Sequence, residues 1–237
     1  MNITGDYHTH SKYSKPYHAV HSVKDMVEYA EQLGLNSLGI TDHGPEHCLY
    51  GINRKNIDKI KKEIEEINKT SKVSVFFGIE ANLIKKDGTV DLKDDEISKL
   101  DYLIVGYHRG SKNDFYSWFR AVKDPEKQKE LNTEAYINCL NKYKVAIISH
   151  LNEYIKVDVL KVATEAKKVG TLIELNNKHI KFTDEEANQL IESGCEFILS
   201  SDAHKKQNIA KLDRALEFVE KYNIPHERIV NIDKIYR

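Results

Sequence analysis

Asp6-Tyr7-His8-Thr9-His10-Ser11 is the stretch whose reading decides the fold. Residues 1–7, which lead into it, read as a strand, with Ile3 and Tyr7 as packing positions. Strand side chains alternate faces, so His8 and His10 point to one side. Two imidazoles on one side of a strand end can close on a single metal ion. A purely structural pair of buried histidines would instead need two separate hydrogen-bond partners. Alone, His-x-His is a weak signal. Its weight comes from later strand ends that repeat the same chemistry.

Working outward, six further strands follow, each after a helical stretch or a turn. Residues 37–41 end in Asp42-His43-Gly44, and 73–79 end in Glu80-Ala81-Asn82. Residues 101–107 end in His108-Arg109-Gly110, and 145–149 end in His150. Residues 171–175 end in Asn176-Asn177, and 196–199 in Ser200-Ser201-Asp202-Ala203-His204. Capping boxes at Ser22 to Asp25 and Thr183 to Glu186 open helices, which Gly34 and Gly194 stop. Further helices are expected from about residue 53, with Ile57, Ile60, Ile64 and Ile67 on one face, and over 133–143, 157–169 and 209–222. Asp87-Gly88 reads as a turn. Alternating strands and helices imply a parallel α/β sheet. In an open sheet, ligands gather at one switch point and most strand ends stay idle. In a barrel all the strand ends share one mouth. Six of seven ends here carry His, Asp or Glu, which favours the barrel.

The 237 residues fit one domain over 1–237, and 40% hydrophobic content suffices for its core. A net charge of -1 argues against a dedicated nucleic-acid binder. Three well-separated cysteines (Cys48, Cys139 and Cys195) make a disulfide framework unexpected and favour a reducing compartment. No signal segment and no membrane-length apolar run is seen, so a cytoplasmic location is expected. The oligomeric state is left open.

Each candidate has a bland reading when taken alone: His43 in a turn, His108 and His150 in a core, Asp202 as a helix cap. The strand-end histidines His8, His10, His43, His108, His150 and His204, joined by Glu80 and Asp202, do not fit those readings together. Imidazoles and carboxylates in this mixture suit Zn, Mn or Fe. They exceed what one tetrahedral ion needs, and a carboxylate such as Glu80 can bridge two ions. In this order and spacing the segments 8–11, 41–45, 78–82, 106–108, 148–150 and 201–204 resemble the PHP (polymerase and histidinol phosphatase) family. The resemblance extends over about residues 2–232 and is nearest to stand-alone bacterial phosphoesterases.

The resemblance implies a distorted (β/α)7 TIM-like barrel with a trinuclear metal site at the C-terminal strand ends. It implies that His8, His10, Glu80 and Asp202 hold one ion and that Glu80, with His108 and His150, holds a second. His43, His204 and a histidine of the loop after the first strand would hold the third. His18 is expected in that place, with His21 as rival. Zinc is the first expectation, with manganese or iron as alternatives. The implied activity is hydrolysis of a small phosphomonoester by a metal-bound hydroxide, with Glu80, Asp202 and His204 as the catalytic set. Arg109, Asn176 and Lys12 are candidate substrate contacts, and Lys15, Arg120 and Lys205 are weaker ones. Leu151-Asn152 departs from the family's Pro-Gly. His47, His179 and His226 read as surface or loop residues, and Asp6 as an orienting group or a strand neighbour. The aromatic segment 111–132, with Phe115, Tyr116, Trp118 and Phe119, reads either as a satellite core or as a roof over the site.

The rival readings are a histidinol-phosphate phosphatase, a nuclease of phosphodiester ends, an amidohydrolase-type enzyme and a non-catalytic metal-holding module. No lysine ends a strand to bridge metals as in the amidohydrolases, and no ligand is missing as in a degenerate module. The expected partner is a small phosphorylated substrate.

Overall fold

The computed structural model describes residues 2–15, 18–111 and 122–233. Seven parallel strands lie in the order β1 to β7: Gly5–Asp6, Ser37–Ile40, Ser74–Asn82, Tyr102–Gly106, Ile147–Ile148, Leu172–Asn176 and Phe197–Ser200. The helices among the described residues are α1 (Val23–Gln32), α2 (Ile57–Asn68), α3 (Asp94–Ile97), α4 (Pro125–Lys142), α5 (Val159–Val169), α6 (Asp184–Ser193) and α7 (Asp213–Lys221). The strands form a nearly closed, distorted (β/α)7 barrel.

Period-two alternation builds the barrel interior from the bottom up. Its floor is a cluster of Tyr7, Ile104, Ile147, Leu172 and Ile198, packed with Phe76 and Tyr102. Above Phe76 the same parity gives Gly78, Glu80 and Asn82. Above Leu172 it gives Glu174 and Asn176, and above Ile104 it gives Gly106 and His108. Apolar floor and polar mouth are thus two heights of one register. The opposite parity (Leu103 and Val105, Ile173 and Leu175) packs against the helices in the larger core. Each fully buried aliphatic side chain there contributes about 1.5–3 kcal/mol. Gly39 leaves room for the Tyr102 hydroxyl, which donates to Tyr7 O at 2.6 Å.

The β7–β1 seam is closed differently from the others. No ladder joins these two strands. The Asn231 side chain donates to Gly5 O (2.9 Å) and Leu199 O (2.8 Å) and accepts from Leu199 N (3.0 Å). Higher up, the Asp6 carboxylate accepts from Ser201 N (3.2 Å), Ala210 N (2.9 Å) and the Ser201 hydroxyl. At the mouth, His10 N donates to Ala203 O (2.8 Å). Asp6 is therefore chiefly a seam residue.

Several boundaries differ from the sequence reading. The first strand keeps only Gly5–Asp6, because beyond it Thr9 and Thr41 exchange bonds through both backbone and hydroxyls. β3 runs on to Asn82 and so contains Glu80. α4 starts at Pro125, not 133: the Asp124 side chain accepts from Glu126 N and Lys127 N, and proline suits the first helical turn. The last helix starts at Asp213, after a 3-10 turn over Lys206–Asn208. Phe115, Tyr116, Trp118, Phe119 and Arg120 lie outside the described residues.

Candidate metal centre

Every strand after the first delivers a polar side chain to the barrel mouth, and the chain after β1 delivers two. His8, His10, His43, Glu80, His108, His150 and Asp202 are buried, and His18 and His204 partly so. A cavity of about 360 Å³ opens over them, walled also by His47, Tyr50, Tyr154, Lys178 and His179.

Three convergences of ligand-type atoms are seen. In the first, His8 Nε2 and His10 Nε2 are 3.1 Å apart, and His10 Nε2 lies 3.1 Å from Asp202 Oδ1. Glu80 Oε2 lies 3.3 Å from His8 Nε2. In the second, Glu80 Oε1 lies 2.8 Å from His150 Nε2 and 3.2 Å from His108 Nε2. In the third, His18 Nε2 faces His43 Nε2 at 2.9 Å and His204 Nε2 at 2.6 Å. Groupings of His10, His43 and His204 and of His43, Glu80 and His108, buried but for His204, overlap these. The convergences are drawn by where the ring nitrogens point.

The donor set fits divalent ions. Burial holds His43 and His18 down to about 3, so both rings are neutral near pH 7 and carry a lone pair. One imidazole nitrogen has a single proton or a single lone pair, so His18 Nε2 cannot satisfy both rings facing it. His10 Nδ1, His43 Nδ1, Glu80 Oε2 and Asp202 Oδ1 are buried without a hydrogen bond. His43 Nδ1 and Glu80 Oε2 stand 2.9 Å apart, in an orientation that makes no hydrogen bond. Burial would raise the Glu80 carboxyl, but the His108 and His8 imidazoles hold it well below the usual range. The site therefore offers neutral imidazoles at His18 and His43 and an ionised Glu80. Burial opposes the charge of His8 and His150, but the neighbouring carboxylates Glu80 and Glu174 push both up. Imidazole and carboxylate together are the donor types zinc-type ions take.

The supporting contacts are equally specific. Glu174, which no strand-end pattern marks, accepts from His8 Nδ1 (2.6 Å) through Oε1. Its Oε2 accepts from His150 N (2.8 Å) and Asn176 Nδ2 (3.0 Å). Asn82 Oδ1 meets His108 Nδ1 (2.8 Å), while Asn82 Nδ2 donates to Asp91 Oδ2 (2.5 Å). Asp42 accepts from Ser11 and Ser14, fixing the loop after His10. His150 and Asp202 both have positive φ (30° and 52°), a conformation non-glycine residues rarely hold. Asn152 takes φ 72°, a region that asparagine tolerates.

The nine expected ligands thus come together. His21 stays at the start of α1, where its carbonyl accepts from Lys12 N at 2.8 Å. Of the candidate substrate contacts, Arg109 is exposed and its guanidinium stands 5.8 Å from the Tyr154 ring, outside the cavity lining. Lys12 is exposed against Tyr13. Asn176 is buried at the mouth, but its amide is spent on Glu174, Asp202 and the backbone of Lys178 and His179. His47 and His179, read as surface or loop residues, are cavity walls. So is Lys178, whose Nζ reaches Asp202 O and His204 Nδ1 (2.7 Å). A charge inside the apolar run Leu172–Asn176 was the available signal for Glu174.

A family model described as "PHP domain" matches residues 6–198. The chain is similar to a probable phosphatase of Caldanaerobacter subterraneus subsp. tengcongensis, with 30% identity covering 99% of this chain and 90% of the relative. It is 28% identical to a probable phosphatase of Shewanella sp. (strain ANA-3), covering 98% and 88%. Among solved structures it resembles a putative histidinol phosphatase from Listeria monocytogenes (TM-score 0.63, 16% identity, 87% and 97% covered). It also resembles the histidinol phosphate phosphatase of Lactococcus lactis subsp. lactis, solved with Zn, L-histidinol and phosphate (TM-score 0.60, 14% identity, 95% of each covered). At these identities the two structures bear on the fold.

Proposed function

The chain belongs to the PHP domain family of metal-dependent phosphoesterases, and from that premise we propose that it hydrolyses small phosphomonoesters at a site for three divalent ions, zinc first among them. One observation carries the reading: nine His, Glu and Asp side chains converge at the barrel mouth, and there His18 Nε2 faces two imidazole nitrogens of which it can satisfy only one. His8, His10, Glu80 and Asp202 would hold one ion. Glu80, His108 and His150 would hold the second, and His18, His43 and His204 the third. Divalent ions so held lower the pKa of water toward neutrality and offset phosphoryl charge.

The chain's own groups do the rest. Glu80 offers one oxygen to each of two ligand groups. Burial opposes the charge of Asp202, but His8 and His10 hold its carboxyl well below the usual range, so it stays ionised and offers Oδ1 to the first group. His204 and the Lys178 ammonium form the end of the cavity that suits a phosphate dianion. The neutral overall charge and the small cavity fit a monoester better than a polynucleotide. Residues 1–237 are taken as one such domain. No described helix is long and apolar enough to cross a membrane, and the three cysteines are free, which suits the reducing cytoplasm.

Elemental analysis of mildly purified protein, paired with turnover of p-nitrophenyl phosphate and its bis-ester, tests the proposal. More than one ion per chain, up to three, and preference for the monoester are expected. One ion or fewer after reconstitution would overturn the three-ion site, and preference for the bis-ester would overturn the monoester reading. A screen of sugar phosphates, nucleotides and histidinol phosphate then identifies the organic part. Within the third group, His18→Ala is expected to lose one ion while His21→Ala keeps it. Equal metal content in the two variants would remove His18 from that place.

A further inference from the structure

We infer that Tyr50 is a positioning residue for the third ligand group: by stacking on His18 it holds a loop histidine in the site, so that filling of that group depends on the 44–51 loop. The inference rests on the proposed reading of His18, His43 and His204 as ligands of one ion.

His18 differs from the other eight ligands. They sit in, or within four residues of, a strand, whose ladder fixes their direction. His18 lies in the loop between β1 and α1, and its own backbone N–H makes only a long bond to Lys15 O (3.3 Å). The direction of its ring must therefore come from side-chain contacts. Among the described residues the closest ring to it is Tyr50, with centroids 3.7 Å apart and planes at 9°. The ligand rings lie farther away, His204 at 4.1 Å and 85° and His43 at 4.9 Å and 40°. Among the described residues, Tyr50 alone lies flat against His18 and leaves its Nε2 edge free to face His43 and His204.

Tyr50 is suited to this because its own loop is fixed at several points. Tyr50 N donates to His47 Nδ1 (3.2 Å), and the His47 ring is buried and stacked 4.9 Å away. Gly51 N donates to His47 O (3.0 Å), and Ile52 N donates to His43 O (3.0 Å). Cys48 N reaches Gly110 O (3.0 Å), and Glu46 N reaches the buried Asp91 carboxylate (3.0 Å). A Cβ at Gly51 would meet Gly44 O at 2.6 Å, so the turn is closed as tightly as a glycine allows. The second tie between the two loops, Lys15 Nζ to Cys48 O at 3.3 Å, is exposed and contributes little. Tyr50 thus transmits to His18 the rigidity that strands give the other ligands. Outer partners of metal ligands typically alter affinity by about 10–100-fold.

The alternative role for a tyrosine in this cavity wall is contact with the substrate's leaving group. The two roles separate in Tyr50→Ala and Tyr50→Phe, compared with wild type and His18→Ala by elemental analysis, zinc titration against a chelator, thermal unfolding and kinetics on p-nitrophenyl phosphate. The expected result is that Tyr50→Ala weakens the most weakly held ion by about 10–100-fold and matches His18→Ala in stoichiometry. Tyr50→Phe keeps the stack and is expected to keep the ion. Three ions at wild-type affinity in Tyr50→Ala, whether or not KM rises, would overturn the inference. So would loss of all ions with a collapsed Tm, which would make Tyr50 a general packing residue. A wild-type protein that never holds a third ion would instead refute the three-ion reading, and the role of Tyr50 with it.

Discussion

Glu80→Gln is expected to lower kcat by about 10³-fold or more with little change in fold, since losing several kcal/mol of charge stabilisation costs about tenfold per 1.4 kcal/mol. Five imidazoles crowd this one carboxylate. Oε1 lies 2.8 Å from His150 Nε2 and 3.2 Å from His108 Nε2. Oε2 lies 2.9 Å from His43 Nδ1, 3.3 Å from His8 Nε2 and 3.7 Å from His10 Nε2. Burial opposes its charge, yet His108 and His8 keep it ionised. Glutamine has the same shape but no charge, and it would turn an NH2 toward nitrogens that need to donate lone pairs. Elemental analysis should therefore show reduced occupancy of both groups that share Glu80. Turnover within a few-fold of wild type would remove Glu80 from the site.

Glu174→Gln is the second large effect, and it arises without contact to any expected ion. Oε1 orients His8, while Oε2 accepts from His150 N and Asn176 Nδ2. An amide can accept at only one of those two positions. Whichever way it turns, an NH2 faces a donor, and a buried unsatisfied group costs about 1–3 kcal/mol. In one orientation the His150 backbone, at φ 30°, loses the bond that holds it there; in the other His8 Nδ1 loses its acceptor. We expect a 10–100-fold loss of metal affinity that reaches both the His8 and the His150 groups, with a lower Tm. Asn82→Ala, which frees only His108, should disturb one group. Equal damage in the two variants would mean that Glu174 does not couple them.

The barrel and the gathering of the candidate ligands were legible for the same reason. A parallel barrel gathers its strand ends, so His43, Glu80, His108, His150 and Asp202 meet although they lie far apart in the chain. Arg109 was a poor candidate on the same grounds: it follows the inward His108, and alternation turns it outward. Glu174 was hidden because it sits mid-strand, two residues before the end that draws attention. His47, Lys178 and His179 were hidden because loops, not periodicity, aim them. The early start of α4 was written in Asp124-Pro125-Glu126, a cap that a long loop reading absorbs.

The β7–β1 seam gives metal loading a mechanical meaning. Around the rest of the cylinder, backbone ladders lace each strand to the next, but here Asp6 and Asn231 serve as buttons. The first ligand group straddles that opening, with His8 and His10 on one bank and Asp202 on the other. An ion shared across it would act as a clasp on the least-laced edge. Opening the cylinder and releasing that ion then become a single equilibrium. Free metal at a thousandfold excess over its dissociation constant would hold the clasp shut by about 4 kcal/mol. Stripping the ion returns the burden to one aspartate, one asparagine and the single backbone bond from His10 to Ala203.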